Sequence, residues 1–257
     1  MEVHHHPHLP HGPKKFKEYF LEFLMIFLAV TMGFLAENLR EHIADNRKEK
    51  EFVAGFIADL KADTAKLTAV IKYYDHILPL MDSTRINFSL LQKPHSLHTV
   101  MMLQRSMAGY MDFIYSDATL QQVKSSGGML LIKNKATVDS MLAYDSQVQL
   151  ALINEKVLGQ LLISTQHEMG GLLNMQVIIE TLSRVKTVEQ QKALADSLNT
   201  HMPDFLIEHN AAVTGQFYND YLYYETVATL VKMSMADLKK KATATLRFLH
   251  DRYHVTE

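Results

Sequence analysis

Between Tyr19 and Ala36 the chain reads YFLEFLMIFLAVTMGFLA, and Glu22 is the only Asp, Glu, Lys, Arg or His in that run. Its 18 residues span about 27 Å as a helix, just under the roughly 30 Å hydrocarbon thickness of a bilayer. From Phe23 to Ala36 there is no polar face to turn toward water, which argues against a core helix and predicts one membrane crossing. Lys14, Lys15 and Lys17 precede the run as the positive end of a signal peptide would. The continuation Glu37-Asn38-Leu39-Arg40-Glu41-His42 stays helical in character and offers no small-residue cleavage site, so the segment reads as an uncleaved anchor.

A mean hydropathy of −0.07 hides this run inside a polar remainder. The chain has 257 residues, 47% of them hydrophobic, enough to fill a sizeable core. With 26 Lys+Arg against 28 Asp+Glu there is no concentrated positive charge, which argues against nucleic acid as a partner. Cys is absent, so disulfides, thiolate nucleophiles and Cys-ligated metals are excluded. Only 6 Pro and 10 Gly interrupt a vocabulary of Leu, Ala, Met, Lys, Glu and Gln, which is that of long helices.

The expected fold is all-α, a transmembrane helix continuing into an elongated antiparallel helical bundle. Residues 1–18 form a His/Lys-rich tail, 19–36 the membrane helix and 37–257 the bundle. Val53, Ile57, Leu60, Leu67, Ile71, Tyr74 and Leu78, with Thr64 as a weak member, form a 3/4 stripe on a helix running out of the membrane. Pro79 marks a kink or a helix start, and Lys93-Pro94-His95-Ser96 a turn before a stretch around Val100, Leu103 and Met107. Tyr110 to Ile132 is irregular, apart from a short helix near Thr119 to Lys124 that ends at Ser125-Ser126-Gly127-Gly128. From Lys135 to about Arg184 a long helix carries Leu142, Leu158, Leu162, Met169, Leu172 and Ile179, with a bend at Gly170-Gly171. A lesser helix follows near Val188 to Leu198. A final one carries Phe217, Tyr221, Tyr224, Ala228, Val231, Met235, Leu238, Ala242 and Leu249.

Two segments, KEYFLEFLMIFLAVTMGFLAENLREH and YSDATLQQVKSSGGMLLIKNKATVDSMLAYDSQ, cover about a quarter of the chain and carry a resemblance. They resemble a bacterial family of single-pass membrane proteins classed only as a domain of unknown function. Its pattern is met by Glu22 opening the membrane helix, Asn38 after it, the Asp59-Leu60 step, Leu120, and the run Lys124-Ser125-Ser126-Gly127. Leu131-Ile132-Lys133-Asn134-Lys135 and Tyr144 complete it, and the opening MEVHHHPH is similar to the start of a subgroup. A second glycine at Gly128, and Ala118 just before Thr119, depart from the pattern. The resemblance implies architecture and a membrane location, and no activity.

Three features invite chemistry. His4, His5, His6, His8 and His11 crowd the first twelve residues, and neutral imidazoles at that density chelate Zn, Ni or Cu. Against a native metal role, Pro7, Pro10 and Pro13 keep the tail extended, and it reads first as a solvated or interfacial basic tail. Glu22 is costly in a bilayer, and it either pairs with Lys15 or Lys17 at the headgroups or rings an oligomer axis, with Thr31 and Gly33 facing that axis or the neighbouring helix. The turn Lys124-Ser125-Ser126-Gly127, with Lys133 and Asn134 downstream, offers amides to an anion but lacks P-loop spacing, so it reads first as a capped turn.

No nucleophile triad or carboxylate pair stands out, and no resident cofactor is implied beyond Zn, Ni or Cu at the histidines. The expectation is a membrane-anchored, self-associating bundle acting as scaffold, accessory subunit or sensor without enzymatic activity. Its partners are the lipid bilayer, further copies of itself and other membrane proteins. Two alternatives are an ion- or proton-conducting pore with Glu22 in the lumen and a metal-handling protein using the histidine tail. The short Lys-bearing tail belongs in the cytoplasm and the larger domain on the periplasmic side of a bacterial inner membrane.

Overall fold

In a computed structural model, residues 15–88, 97–183, 189 and 204–254 are described. The His tail, the Lys93-Pro94-His95-Ser96 turn and all but residue 189 of the lesser helix expected near 188–198 lie outside them. The described helices are α1 (Phe16–Ile86), α2 (Leu97–Ser106), α3 (Ala118–Ser125), α4 (Lys135–Leu172), α5 (Met175–Ser183) and α6 (Ala211–Tyr253), with a 3-10 turn over Gly128–Leu130. Among the described residues the only strand-like pairing is one isolated antiparallel bridge, between Leu173 and Leu206.

α1 is one helix of 71 residues, so the expected rod from the membrane segment into the bundle is unbroken. Its apolar start is long and apolar enough to cross a membrane and is not buried by the rest of the chain. The first buried residue is Glu49, leaving residues 37–48 as a bare helical stem. Pro79 lies inside α1 as neither a start nor a break.

Contacts along the bundle set its topology. Tyr221 donates to Met81 O at one end and Tyr253 to Glu49 Oε1 at the other, so α6 runs antiparallel to α1. Tyr253 also reaches Thr137, and Glu168 faces Asp220, so α4 is antiparallel to α6 and parallel to α1. Between α1 and α4 the chain returns toward the Glu49 end of the bundle through α2, a non-helical stretch over residues 109–117, α3 and the 3-10 turn. Phe113 is the buried anchor of that stretch.

The 3/4 stripes close on one another inside this bundle. Val53, Ile57, Leu60, Leu67 and Tyr74 are buried against Met141, Tyr144, Val148, Leu158 and the α6 row from Phe217 to Leu249. Ile71 and Leu78 are half-buried at its edge. All nine stripe residues expected on α6 are buried. The long helix expected from Lys135 to about Arg184 is two, α4 and α5, and two members of its pattern are corrected: Leu142 on α4 is 42% and Ile179 on α5 60% exposed, while Met141 and Ile178 beside them are buried. At 100° per residue, Met141 falls on the face of Tyr144 and Val148, and Leu142 turns outward. On α1 the weak slot belongs to buried Asp63 rather than to half-buried Thr64.

The bend expected at Gly170-Gly171 does not occur there, for both remain helical. α4 ends at Leu172 because Leu173 turns extended (φ −101, ψ 137) and its neighbours bond the incoming chain: Ile207 N to Leu172 O at 2.9 Å and Asn174 N to Phe205 O at 2.8 Å. Asn174 Oδ1 then accepts from Val177 N and caps α5, a role that short polar side chains fill well.

Met141→Ala should cost about 2–5 kcal/mol of unfolding free energy, the range for emptying a packed site, and Leu142→Ala within about 0.5 kcal/mol. Denaturant titration of the two variants checks the assignment of the α4 stripe.

Candidate functional site

A non-helical stretch packed between two helices has backbone donors and acceptors that need partners. Carboxylates on α1 and α4 meet the donors. Asp63 Oδ1 accepts Ser116 N at 2.8 Å, Asp59 Oδ2 accepts Thr119 N at 3.0 Å and Glu155 Oε1 accepts Phe113 N at 2.7 Å. Tyr73 Oη, Gln166 Nε2 and Lys66 Nζ donate to the carbonyls of Gly109, Met107 and Ile114. Asp63 also receives the Tyr144 hydroxyl at 2.8 Å, and Lys66 holds Ser116 Oγ. Tyr144 stands edge-on to Phe56 and Tyr115, sealing this polar seam with aromatic rings.

Burial sets the electrostatics of the seam. Loss of solvation pushes the Asp63 carboxyl up, opposed by the Tyr144 and Ser116 hydrogen bonds. Glu155 is pushed up to about 7 by burial, against the pull of the Phe113 amide, with the Asp112 charge adding to the rise. The Tyr144 and Tyr115 hydroxyls are also pushed up, by burial first and by Asp63 and Asp145 after it.

A second cluster sits where the bundle begins above the bare stem. Glu49 Oε1 accepts from Tyr253 Oη at 2.8 Å and from Lys133 N at 3.3 Å, while Lys133 Nζ reaches Asn46 Oδ1 at 2.6 Å. Asn134 Oδ1 caps α4 by accepting from Thr137 N. One carboxylate thereby ties α1 to the entry of α4 and the end of α6.

The motif residues thus fall into two fastenings rather than one anion cradle. Lys133 and Asn134 belong to the cluster around Glu49, and Lys124 pairs with Asp145 of α4 at 2.6 Å. Ser125 and Ser126 are exposed, with Ser125 Oγ and Ser126 N both turned back to Gln122 O. Gly127 takes the expected left-handed conformation (φ 71), but Gly128 does not; it is buried against the Phe52 ring.

Glu22 lies in α1 about one turn into the apolar run. On this helix Gly33 falls within about 20° of Glu22 around the axis and Thr31 about 180° away, so the two small residues lie on opposite faces. His4, His5, His6, His8 and His11 lie outside the described residues; among those described, no group of three or more His, Asp or Glu could hold a metal ion. Where α4 ends and α6 begins, a cavity of about 430 Å³ is lined by Glu168, Leu172, Glu208, Gln216 and Phe217. Burial and the facing Asp220 carboxylate push Glu168 up.

Asp63, Glu155 and Glu49 were missed as site residues in the sequence. The available signal was their placement: charged residues standing where the 3/4 spacing calls for apolar ones.

Folded Glu155 binds its proton up to about pH 7, against an ordinary carboxyl value of 4.5. Its stabilising contribution is therefore full below about pH 4.5 and lost as pH rises to about 7. Glu155→Gln keeps an oxygen for Phe113 N but cannot ionise, so the fall in unfolding free energy across that window should shrink by order 1–3 kcal/mol. Asp63, Glu168 and Glu225, also pushed up by burial, leave a residual slope of the same sign. Thermal unfolding of both proteins between pH 4.5 and 7.5 reads the difference. Gly127→Ala, which places a Cβ in the left-handed region, should cost about 1–2 kcal/mol in the same assay.

No protein-family model, curated protein or solved structure matches the chain.

Proposed function

We propose that this chain is a single-pass, self-associating protein of a bacterial inner membrane, serving as scaffold, accessory subunit or sensor and performing no chemistry of its own. The observation that carries this reading is the continuity of α1, whose bare apolar start and buried later turns belong to one helix without a hinge. Motion of the membrane segment is then passed directly to the bundle. The cluster around Glu49 locks α4 and α6 to that helix just beyond the stem, so the bundle responds as one body.

The Lys-bearing tail is placed in the cytoplasm and the bundle in the periplasm, following the weight that short basic flanks carry in orientation. Self-association has to use outer surfaces. The long stripes on α1 and α6 are consumed within the chain, which leaves the membrane helix and outward faces of the bundle.

The full chain should stay in the membrane after an alkaline carbonate wash and be cut within the bundle by protease added to spheroplasts. In mild detergent, mass photometry should give a multiple of the 29.4 kDa chain. Release by carbonate or a monomeric mass would overturn the reading.

A further inference from the structure

The non-helical stretch is held unevenly. Its later part is fastened to α1, where Lys66 Nζ donates to Ile114 O and Asp63 Oδ1 accepts Ser116 N, both at 2.8 Å. Before it, Gln166 of α4 holds Met107 O at the end of α2. Between these points, among the described residues, no backbone–backbone hydrogen bond holds residues 109–113. Side-chain bonds secure their two ends: Tyr73 Oη donates to Gly109 O and Phe113 N donates to Glu155 Oε1, both at 2.7 Å. Between them Tyr110 lies along α4, where a Cβ on Gly159 would stand 2.7 Å from its hydroxyl. Gly159 follows Glu155 by about one turn, so the ring and the Phe113 bond sit on one flank of α4.

Glu155 is 5% exposed, and the charge acting on it is that of Asp112, with no Lys, Arg or His beside it to balance a carboxylate. The return stretch also turns the Tyr110 hydroxyl toward it, and α1 the Tyr74 hydroxyl. Tyr73 of α1 and Tyr224 of α6 stand next to Tyr74, while Lys156 of α4 is exposed. Tyr74 Oη is itself buried with no hydrogen-bond partner among the described residues. Two neighbouring core groups therefore lack what water would supply: a partner for the Tyr74 hydroxyl, and solvation for Glu155 once it ionises. Of the elements covering them, residues 109–113 have no helical hydrogen bonds of their own, so they are the part that moves when water enters.

We propose that residues 109–113 are a proton-operated latch: with its carboxyl protonated, Glu155 keeps them seated on α4, and on losing that proton it lets them lift and admit water. The latch goes beyond the anchoring role and works whether or not copies associate. The Phe113 amide favours an ionised carboxyl, yet burial together with Asp112 outweighs it and holds the proton up to about pH 7. In the lifted state the carboxyl is hydrated and returns to its ordinary value of 4.5. Seating is then strongest below about pH 4.5, weakens as pH rises to about 7 and weakens no further above it. Asp63, also pushed up by burial, serves Ser116 and not Phe113, so it belongs to the neighbouring fastening. Lifting uncovers Phe113 while the helices keep their own hydrogen bonds, which gives the bundle a pH-dependent surface without unfolding it.

Hydrogen–deuterium exchange of the full-length chain in mild detergent, corrected for the intrinsic pH dependence of exchange, reads the latch at the Phe113 amide. Between pH 5 and 7.5 its protection should fall by roughly 50-fold, the ratio set by the seated and hydrated carboxyl values. At pH 7.5 it should lie at least about 10-fold below that of α4 amides around Leu158, as local opening requires. Glu155→Gln keeps an oxygen for Phe113 N and has no proton to lose, so its protection should stay level across the range. Asp63→Asn should leave the fall in place. The latch is overturned by an undiminished fall in Glu155→Gln, by loss of the fall in Asp63→Asn, or by a wild-type Phe113 amide that is insensitive to pH. Protection equal to that of the α4 core overturns it too, because the stretch then leaves only when the whole bundle unfolds. These last two readings come from the wild type, so they decide the matter even where a variant fails to fold. A monomeric mass or release by carbonate bears on the anchored, self-associating reading and leaves the latch standing.

Discussion

The bundle depends on carboxylates that solvate a backbone instead of water. Three of the four antiparallel members are helices that satisfy their own amides, but the chain returning from α2 to α3 is not helical through residues 109–117. Its amides at Phe113 and Ser116, and that of Thr119 just inside α3, are met by Glu155, Asp63 and Asp59. Hydrogen bonds from a buried amide to a charged or strongly polar acceptor are among the stronger ones a protein makes, and leaving such an amide unmet is costly. Together with Tyr73, Gln166 and Lys66, which hold the carbonyls of Gly109, Met107 and Ile114, those acceptors let the return segment lie against α1 and α4 with Phe113 in the core.

The same device recurs at the other end of the bundle, nearest the apolar start of α1, where Glu49 gathers Lys133 and Tyr253 onto α1. Below it runs the bare stem of residues 37–48, above it the buried core. The ends of α4 and α6 are thereby registered against a helix that also carries the apolar anchor. A long helix with no packing along its stem keeps its direction through its own hydrogen bonds alone, and this clamp is where the bundle first fastens to it.

Much of the architecture was legible because it follows from periodicity. The α6 row from Phe217 to Leu249 is buried as its spacing implies, and Gly127 takes a left-handed turn where a glycine permits one. On α4 the spacing was ambiguous: Met141 and Leu142 are both apolar neighbours, and only packing against Tyr144 and Val148 separates the inner from the outer one. Gly170-Gly171 suggested a bend by composition, yet the helix ends two residues later, where another part of the chain offers partners to the backbone. Asp63 and Glu155 interrupt the apolar rhythm, and a single chain read in order gives no sight of the amides about 40 to 50 positions away that they serve.

The sequence by itself determined that the chain is helical, that residues 19–36 suit a bilayer and that long stripes need to be buried. Those are consequences of local composition and of a 3.6-residue repeat, both readable without knowing any neighbour. The tertiary structure decided which stripes meet within one copy and which acids turn inward. The reason is physical: burial is a relation between distant segments, and the side chains that satisfy a buried amide or cover a stripe are chosen by where the chain returns in space.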